Sequence, residues 1–326
     1  MNFSHIWGHD RPLSILKRVI ANKTLAHAYL FSGDAGIGKR MTAFALAAAM
    51  NCREPGPDGG CGVCPSCRKV AALSHPDVHV MAADGEEIKI DQIRQIQASL
   101  SLKAFEGIKK VLIMDGAEAM NVPAANAFLK TLEEPPGDTL IILVCSMPQS
   151  LLPTIRSRCQ EIRFLPLPRH TLAQALITKR GLGESDALFL AALAQGSLGR
   201  GLEMDVETER AKREDIMSLW TGLGQKSPGE VLAQAEALSK DRDRLDHLLA
   251  IGVEWLRDVM VFQKADDEEL LVNPESRELL RQWSDRVPLQ RMLLDMDLFI
   301  RSRELLDSRV SAQLVAENLL MKLGKG

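Results

Sequence analysis

The sequence predicts an α/β fold followed by an all-α region, and three observations carry that prediction. Short apolar runs bounded by turn residues alternate with stretches of helical spacing up to about residue 165. Between the first such run and an alanine-rich helix lies a loop with three glycines and a lysine. Beyond Leu165-Pro166-Leu167-Pro168 only amphipathic helical spacing recurs, with no convincing strand.

Composition fits that division. A chain of 326 residues exceeds one ordinary core, so two or three domains are expected. With 46% hydrophobic and 25% charged residues the chain is globular, and 4% aromatics beside abundant Ala, Leu and Arg favour helix. A net charge of −3 argues against coating nucleic acid by overall charge. The first ten residues lack a basic flank with an apolar core, and no apolar run approaches about 18 residues. A soluble cytoplasmic protein, with no membrane partner, is expected. In such a compartment six cysteines point to metal ligands or inert core residues rather than disulfides.

Taken in order, Leu13, Leu16, Val19 and Ile20 mark a first helix. Ala28-Tyr29-Leu30-Phe31 is a buried strand, with His27 at its entrance expected near the base of a bound nucleotide. The loop Gly33-Asp34-Ala35-Gly36-Ile37-Gly38-Lys39-Arg40 then reads as a phosphate cradle. Gly33, Gly36 and Gly38 permit turns closed to other residues, so successive N–H groups converge on phosphate oxygens while Lys39 adds charge. The helix from Met41 to Met50 directs its positive end at the anion. Arg40 stands where a Ser or Thr hydroxyl would hold magnesium, so phosphate binding is retained in this reading and metal-assisted hydrolysis is not.

Cys52, Cys61, Cys64 and Cys67 follow, spaced by eight, two and two residues in a Gly/Pro-rich stretch. Tight Cys-x-x-Cys turns and four thiolates make a closed tetrahedral shell, hence a structural zinc ion. Unliganded thiols and a redox pair are the alternatives. Val78 to Met81 is a short strand, and Ile93, Ile96 and Leu100 mark a helix capped by Asp91. Lys109 to Asp115 is a buried strand ending in a carboxylate suited to hold magnesium, but Gly116 replaces the water-polarising carboxylate and the nearest acid is Glu118. Pro123 opens and Pro135-Pro136 closes a helix; Leu140 to Cys145 is another strand, with Ser146 at its ligand-binding end; Ile162 to Phe164 is the last. Residues 172–202 form a small helical unit and 207–325 a bundle in which Met292, Met296 and Met321 fill core.

The ordered motifs resemble a known family. His9-Asp10, His27 to Phe31, the four-cysteine insertion, Lys130-Thr131-Leu132-Glu133-Glu134-Pro135-Pro136 and Ser157-Arg158-Cys159 are similar to those of the delta-prime subunits of the bacterial DNA polymerase III clamp loader, within the AAA+ superfamily. The resemblance covers roughly the first 200 residues. It implies an AAA+ P-loop domain over 1–165 with the zinc module at 52–67, a small helical lid over 166–206 and a helical collar over 207–326. It further implies a stator within a DNA-directed DNA polymerase holoenzyme, a nucleotidyltransferase assembly, with weak or absent ATPase activity of its own. Gly33, Gly36, Gly38, Lys39, Arg40 and Asp115 would form a degenerate ATP site. Arg158 would act in trans as an arginine finger on a neighbour's ATP, an ordinary surface salt bridge being its other reading. Arg200 would be a second-sensor arginine displaced by one position. Implied partners are gamma/tau-like motor subunits and a delta-like subunit in a hetero-pentamer, with the sliding clamp and primed DNA reached through the complex. Two other functions compete: an active ATPase motor subunit using Glu118 as base, and a zinc-dependent DNA-binding module. The latter is weakened because only Arg53, Arg68 and Lys69 lie near the cysteines.

Overall fold

The computed structural model describes residues 2–264, 271, 276–308 and 310–324, so the end of the predicted collar at 325–326 lies outside the described residues. These residues cluster into two compact units, Met1–Glu203 and Met204–Gly326.

The first unit is a five-stranded parallel sheet with helices on both faces. Its strands are β1 (Ala28–Ser32), β2 (Val78–Met81), β3 (Lys110–Asp115), β4 (Thr139–Cys145) and β5 (Gln160–Arg163), in the order β2-β3-β4-β1-β5. β1 pairs Tyr29 with Ile142 of β4 on one side and with Gln160 of β5 on the other. Alternate residues of each strand serve opposite faces. Tyr29, Phe31, Val111, Ile113 and Ile142 pack with helices α1 (Asp10–Ala21) and α2 (Lys39–Asn51). Leu30, Leu112, Met114, Ile141 and Leu143 pack with α4 (Ile90–Ser101), α5 (Val122–Glu133) and α6 (Pro153–Arg156), while α3 (Pro65–Ala71) lies against α2. Both faces being covered is why the strands read as continuous apolar runs. Five alanines of α2, at 43, 45 and 47–49, are buried, and their small side chains let this helix lie close to the sheet. The unit closes with α7 (Arg169–Arg180), α8 (Glu184–Leu193) and α9 (Leu198–Glu203). The α/β fold followed by all-α structure is therefore what the chain adopts.

Two local expectations are corrected. Asp91 is not the cap of α4: Lys89 is, and its N–H donates to Oε1 of Gln92 at 3.0 Å, so the first-turn glutamine supplies the capping acceptor. His27 lies at the entry of β1 whereas the glycine loop follows its exit, a separation of about 16 Å for five residues of strand. Its ring bonds the Leu132 carbonyl at 3.1 Å instead, tying the strand entrance to α5.

Among its described residues the second unit contains helices α10 (Val206–Gly222), α11 (Pro228–Ser239), α12 (Arg242–Lys264), α13 (Arg277–Arg286), α14 (Leu289–Asp307) and α15 (Ala312–Leu323). Trp220, Trp255, Trp283 and Phe299 meet edge to face at its centre. Gly252 is required there, since a Cβ would lie 2.4 Å from the Phe299 ring. Met292 is fully buried, and Met296 and Met321 pack on the same core, as expected of filler residues.

Candidate functional site: a phosphate loop with a built-in cation and a four-cysteine centre

The glycine loop joins the end of β1 to the start of α2. Gly33, Gly36 and Gly38 have φ of 137°, 74° and 110°, values that L side chains rarely adopt, which is why glycine recurs at these positions. His9, in the His9-Asp10 motif, donates from Nε2 to the Ile37 carbonyl at 2.6 Å and stacks edge-on against Phe164, so the chain entrance braces the loop. On its other side Gly199 at the start of α9 donates to the Gly36 carbonyl at 2.9 Å. A Cβ on Gly199 would lie 3.1 Å from Gly36, so position 199 faces the loop while Arg200 is exposed.

Lys39 is only 4% exposed and turns onto its own loop, donating to the carbonyls of Gly33 at 2.5 Å and Asp34 at 2.6 Å and to Ser146 Oγ at 3.3 Å. Burial pulls its pKa below the usual lysine range, against the opposing attraction of Glu118, Asp34 and Asp115. Arg40 crosses from α2 to the end of β3, where Nη1 meets Oδ2 of Asp115 at 3.2 Å. The guanidinium also lies 5.7 Å from the Phe44 ring centre, a second contact that holds it over the strand end. Arg40 thus places a cation against the acid at the end of β3. These groups line a cavity of about 560 Å³ that includes Lys39, Arg40, Asp115, Gly116 and Ser146.

Glu118 reaches the same place by a route the sequence did not show. Its Oε1 accepts the Ser146 N–H at 2.8 Å, at the C-terminal end of β4, and its buried Oε2 has no N–H or O–H donor among the described residues. Beside it burial, together with the carboxylate, pushes the Cys145 thiol up to about 12. A carboxylate two residues beyond Gly116 is thus tied to the amide at the end of β4.

The four cysteines converge. Their Sγ atoms all lie within 4.8 Å of one another, with Cys52 and Cys64 at 4.0 Å. Tetrahedral zinc–thiolate bonds of about 2.3 Å need sulfurs about 3.8 Å apart, so the set fits one such ion. Main-chain N–H groups of Cys61, Cys64 and Cys67 point at the sulfurs of Cys52, Cys61 and Cys64 at 3.2, 3.3 and 3.5 Å, as thiolate ligands require. Burial pushes Cys67 up to about 12, whereas at Cys64 burial is outweighed by N–H groups of Cys67 and Arg53, which bring that thiol down to about 6. Four protein ligands would leave no open position on such an ion.

Arg158 follows α6. Its Nη2 pairs with Oε1 of Glu133 at 2.5 Å and its Nη1 donates to the Thr154 carbonyl at 2.9 Å, contacts to the α5–α6 side. About a third of the side chain is exposed.

The fold and these sites define a parallel α/β protein with a glycine-rich loop after β1 and a four-cysteine insertion. A family model described as "DNA polymerase III, delta subunit" matches residues 8–168. The DNA polymerase III subunit delta' of Pseudomonas aeruginosa is 34% identical over 91% of this chain and 91% of its own length, and that of Bacillus subtilis is 31% identical over 97% and 96%. The DNA polymerase III subunit tau of Bacillus subtilis is 26% identical over 93% of this chain and 58% of its own. The chain belongs to the family of DNA polymerase III delta' subunits.

Proposed function

We propose that the protein is the delta'-type subunit of a bacterial clamp loader and works as a stator: it hydrolyses little or no ATP itself and completes the nucleotide site of a neighbouring motor subunit. The carrying observation is the Arg40–Asp115 pair at 3.2 Å: a cation stands at the acid on which hydrolysis would place a hydrated metal bridging two phosphates. A guanidinium can bind phosphate oxygens, so weak nucleotide binding at Gly33, Gly36, Gly38 and Lys39 is compatible with the loop. In this reading Cys52, Cys61, Cys64 and Cys67 hold zinc and shape the insertion without taking part in phosphate chemistry.

The finger is Arg158. Phosphoryl transfer spreads charge over the outer phosphate oxygens, and a planar guanidinium delivered across an interface stabilises it only when subunits are docked. Its pair with Glu133 is half-exposed and costs about 0–1 kcal/mol to open, so it does not prevent the side chain from reaching a partner. The implied partners are gamma/tau-like motors and a delta-like subunit in a pentamer, which place the sliding clamp on primed DNA. The lid at 166–206 and the collar at 207–326 are the domain division this role calls for.

A motor reading has one observation in its favour, the Glu118 carboxylate beside Ser146. Steady-state ATP hydrolysis by the purified chain separates the two. The stator account expects no turnover above background; sustained turnover abolished by both Lys39→Ala and Glu118→Gln would establish the motor.

A further inference from the structure

Three large apolar side chains stand in solvent on one loop: Leu102, Phe105 and Ile108 are 71%, 84% and 69% exposed. The backbone beneath them is held by two buried charges. Lys110 at the start of β3 donates to the carbonyls of Ser99, Leu100 and Leu102. Asp77, 2% exposed and just before β2, accepts the N–H groups of Phe105, Glu106 and Gly107 at 2.7, 2.9 and 2.6 Å.

Both ends of the cysteine insertion grip the same loop. Asn51, immediately before Cys52, accepts the Lys109 N–H through Oδ1 at 2.9 Å. Ser66, immediately before Cys67, meets Nε2 of the buried His75 at 3.0 Å, and Nδ1 of that ring accepts the Asp77 N–H at 3.1 Å. The accepting Nδ1 leaves the proton of the neutral ring on Nε2, so His75 donates to Ser66. Lys69, on the same short helix, pairs with both carboxylate oxygens of Glu106 at 2.7 and 2.6 Å. Gly107 fits between the grips, since a Cβ would lie 2.6 Å from Asn51 Oδ1 and 3.2 Å from the His75 ring.

We infer that a metal ion at Cys52, Cys61, Cys64 and Cys67 sets the order of the loop 102–109, acting through Ser66 and Lys69 against Asn51. The inference rests on the zinc reading of the four cysteines. Asn51 ends a helix packed on the sheet, so its position does not depend on the metal. Ser66 and Lys69 belong to the seven-residue α3, far below the about 12–15 residues at which an isolated helix begins to hold in water. The stretch that leads into α3 from Cys52 is rich in Gly and Pro, and α3, which rests on α2 with Val70 buried, carries the ligand Cys67, so the metal adds the tie that fixes where that short helix sits. Without it the Ser66–His75 and Lys69–Glu106 contacts loosen while Asp77 still holds the loop amides, which predicts a graded loss of order rather than unfolding.

Amide hydrogen exchange on the full chain tests this. Zinc content is measured first, then exchange is followed in the loaded protein, after removal of zinc with 1,10-phenanthroline, and after reloading. The inference expects the 104–109 amides to exchange about tenfold faster without zinc, as loss of a hydrogen bond and an ion pair implies, to recover on reloading, and β1 and β4 to stay protected. In zinc-loaded Ser66→Ala protein the same amides speed up by part of that amount with zinc content unchanged. Faster exchange at 52–67 with 104–109 unaltered overturns the inference and leaves the zinc site standing. If zinc removal also exposes β1 and β4, the loaded Ser66→Ala protein decides, and an unaltered loop there overturns it. A folded preparation that neither contains nor takes up zinc overturns the metal reading, and this inference with it.

Discussion

Replacing Arg40 with Ser restores the hydroxyl that a phosphate loop ordinarily offers to magnesium and removes the guanidinium from Asp115. The ion pair is half-exposed on the Arg side and about a quarter exposed on the Asp side, so its loss costs about 0–1 kcal/mol of stability and the fold is retained. The effect on metal is larger. A unit cation about 4 Å away at an effective dielectric of about 20 amounts to a gross about 4 kcal/mol against a second cation, and exposure screens most of it. About 1.4 kcal/mol remaining corresponds to about tenfold tighter magnesium-dependent nucleotide binding. Titration of a fluorescent ATP analogue against wild type and Arg40→Ser, each with magnesium and with EDTA, measures this directly. The variant is expected to gain affinity only with magnesium present, and to hydrolyse no more than wild type because Gly116 and the tied Glu118 are unchanged. Equal gains with and without magnesium would show that Arg40 acts as a steric plug, a loss of affinity in both would show that it acts as a phosphate ligand, and either result would end the idea of a cation that excludes the metal.

Gly199→Val places a branched side chain where even a Cβ is 3.1 Å from Gly36, so α9 must shift off the loop, at about 1–3 kcal/mol in urea unfolding; an unchanged midpoint would refute the packing. Burial lowers the pKa of His75, His9 and His79, so each binds its proton more readily unfolded than folded. Their contribution to stability is therefore complete above about pH 6.5 and is lost progressively as pH falls below it. Urea midpoints of wild type and His75→Gln between pH 7.5 and 5.5 check one share of this, with the variant expected to show the shallower decline and equal slopes contradicting it.

What was legible in the sequence was local. Glycines at 33, 36 and 38 announce a loop whose φ values they alone tolerate, four clustered cysteines announce a shared centre, and strands buried on both faces read as apolar runs. What was not legible depends on partners far along the chain. Arg40 reads as a lost hydroxyl, but its pairing with Asp115 appears only when α2 and β3 are side by side. Glu118 reads as two residues out of register until a turn carries it back to the Ser146 amide. Leu102, Phe105 and Ile108 carry no pattern at all, because the two charges that hold their loop, Asp77 and Lys110, flank it from neighbouring strands. His27 was misplaced for a different reason: a motif beside a strand does not say which end of the strand it serves.

The central claim, that Arg158 completes a neighbour's ATP site, is tested most directly by DNA-stimulated ATP hydrolysis of the reconstituted clamp loader carrying Arg158→Ala in this subunit alone. Assembly is checked by gel filtration and Lys39 is left intact. Arginine fingers are worth about 10³–10⁵ in rate at the site they serve, so silencing one of several sites should remove a measurable share of total hydrolysis and impair clamp loading. The account predicts that loss with the complex intact. A complex that assembles, hydrolyses ATP and loads the clamp as wild type does would contradict it and return Arg158 to a surface partner of Glu133.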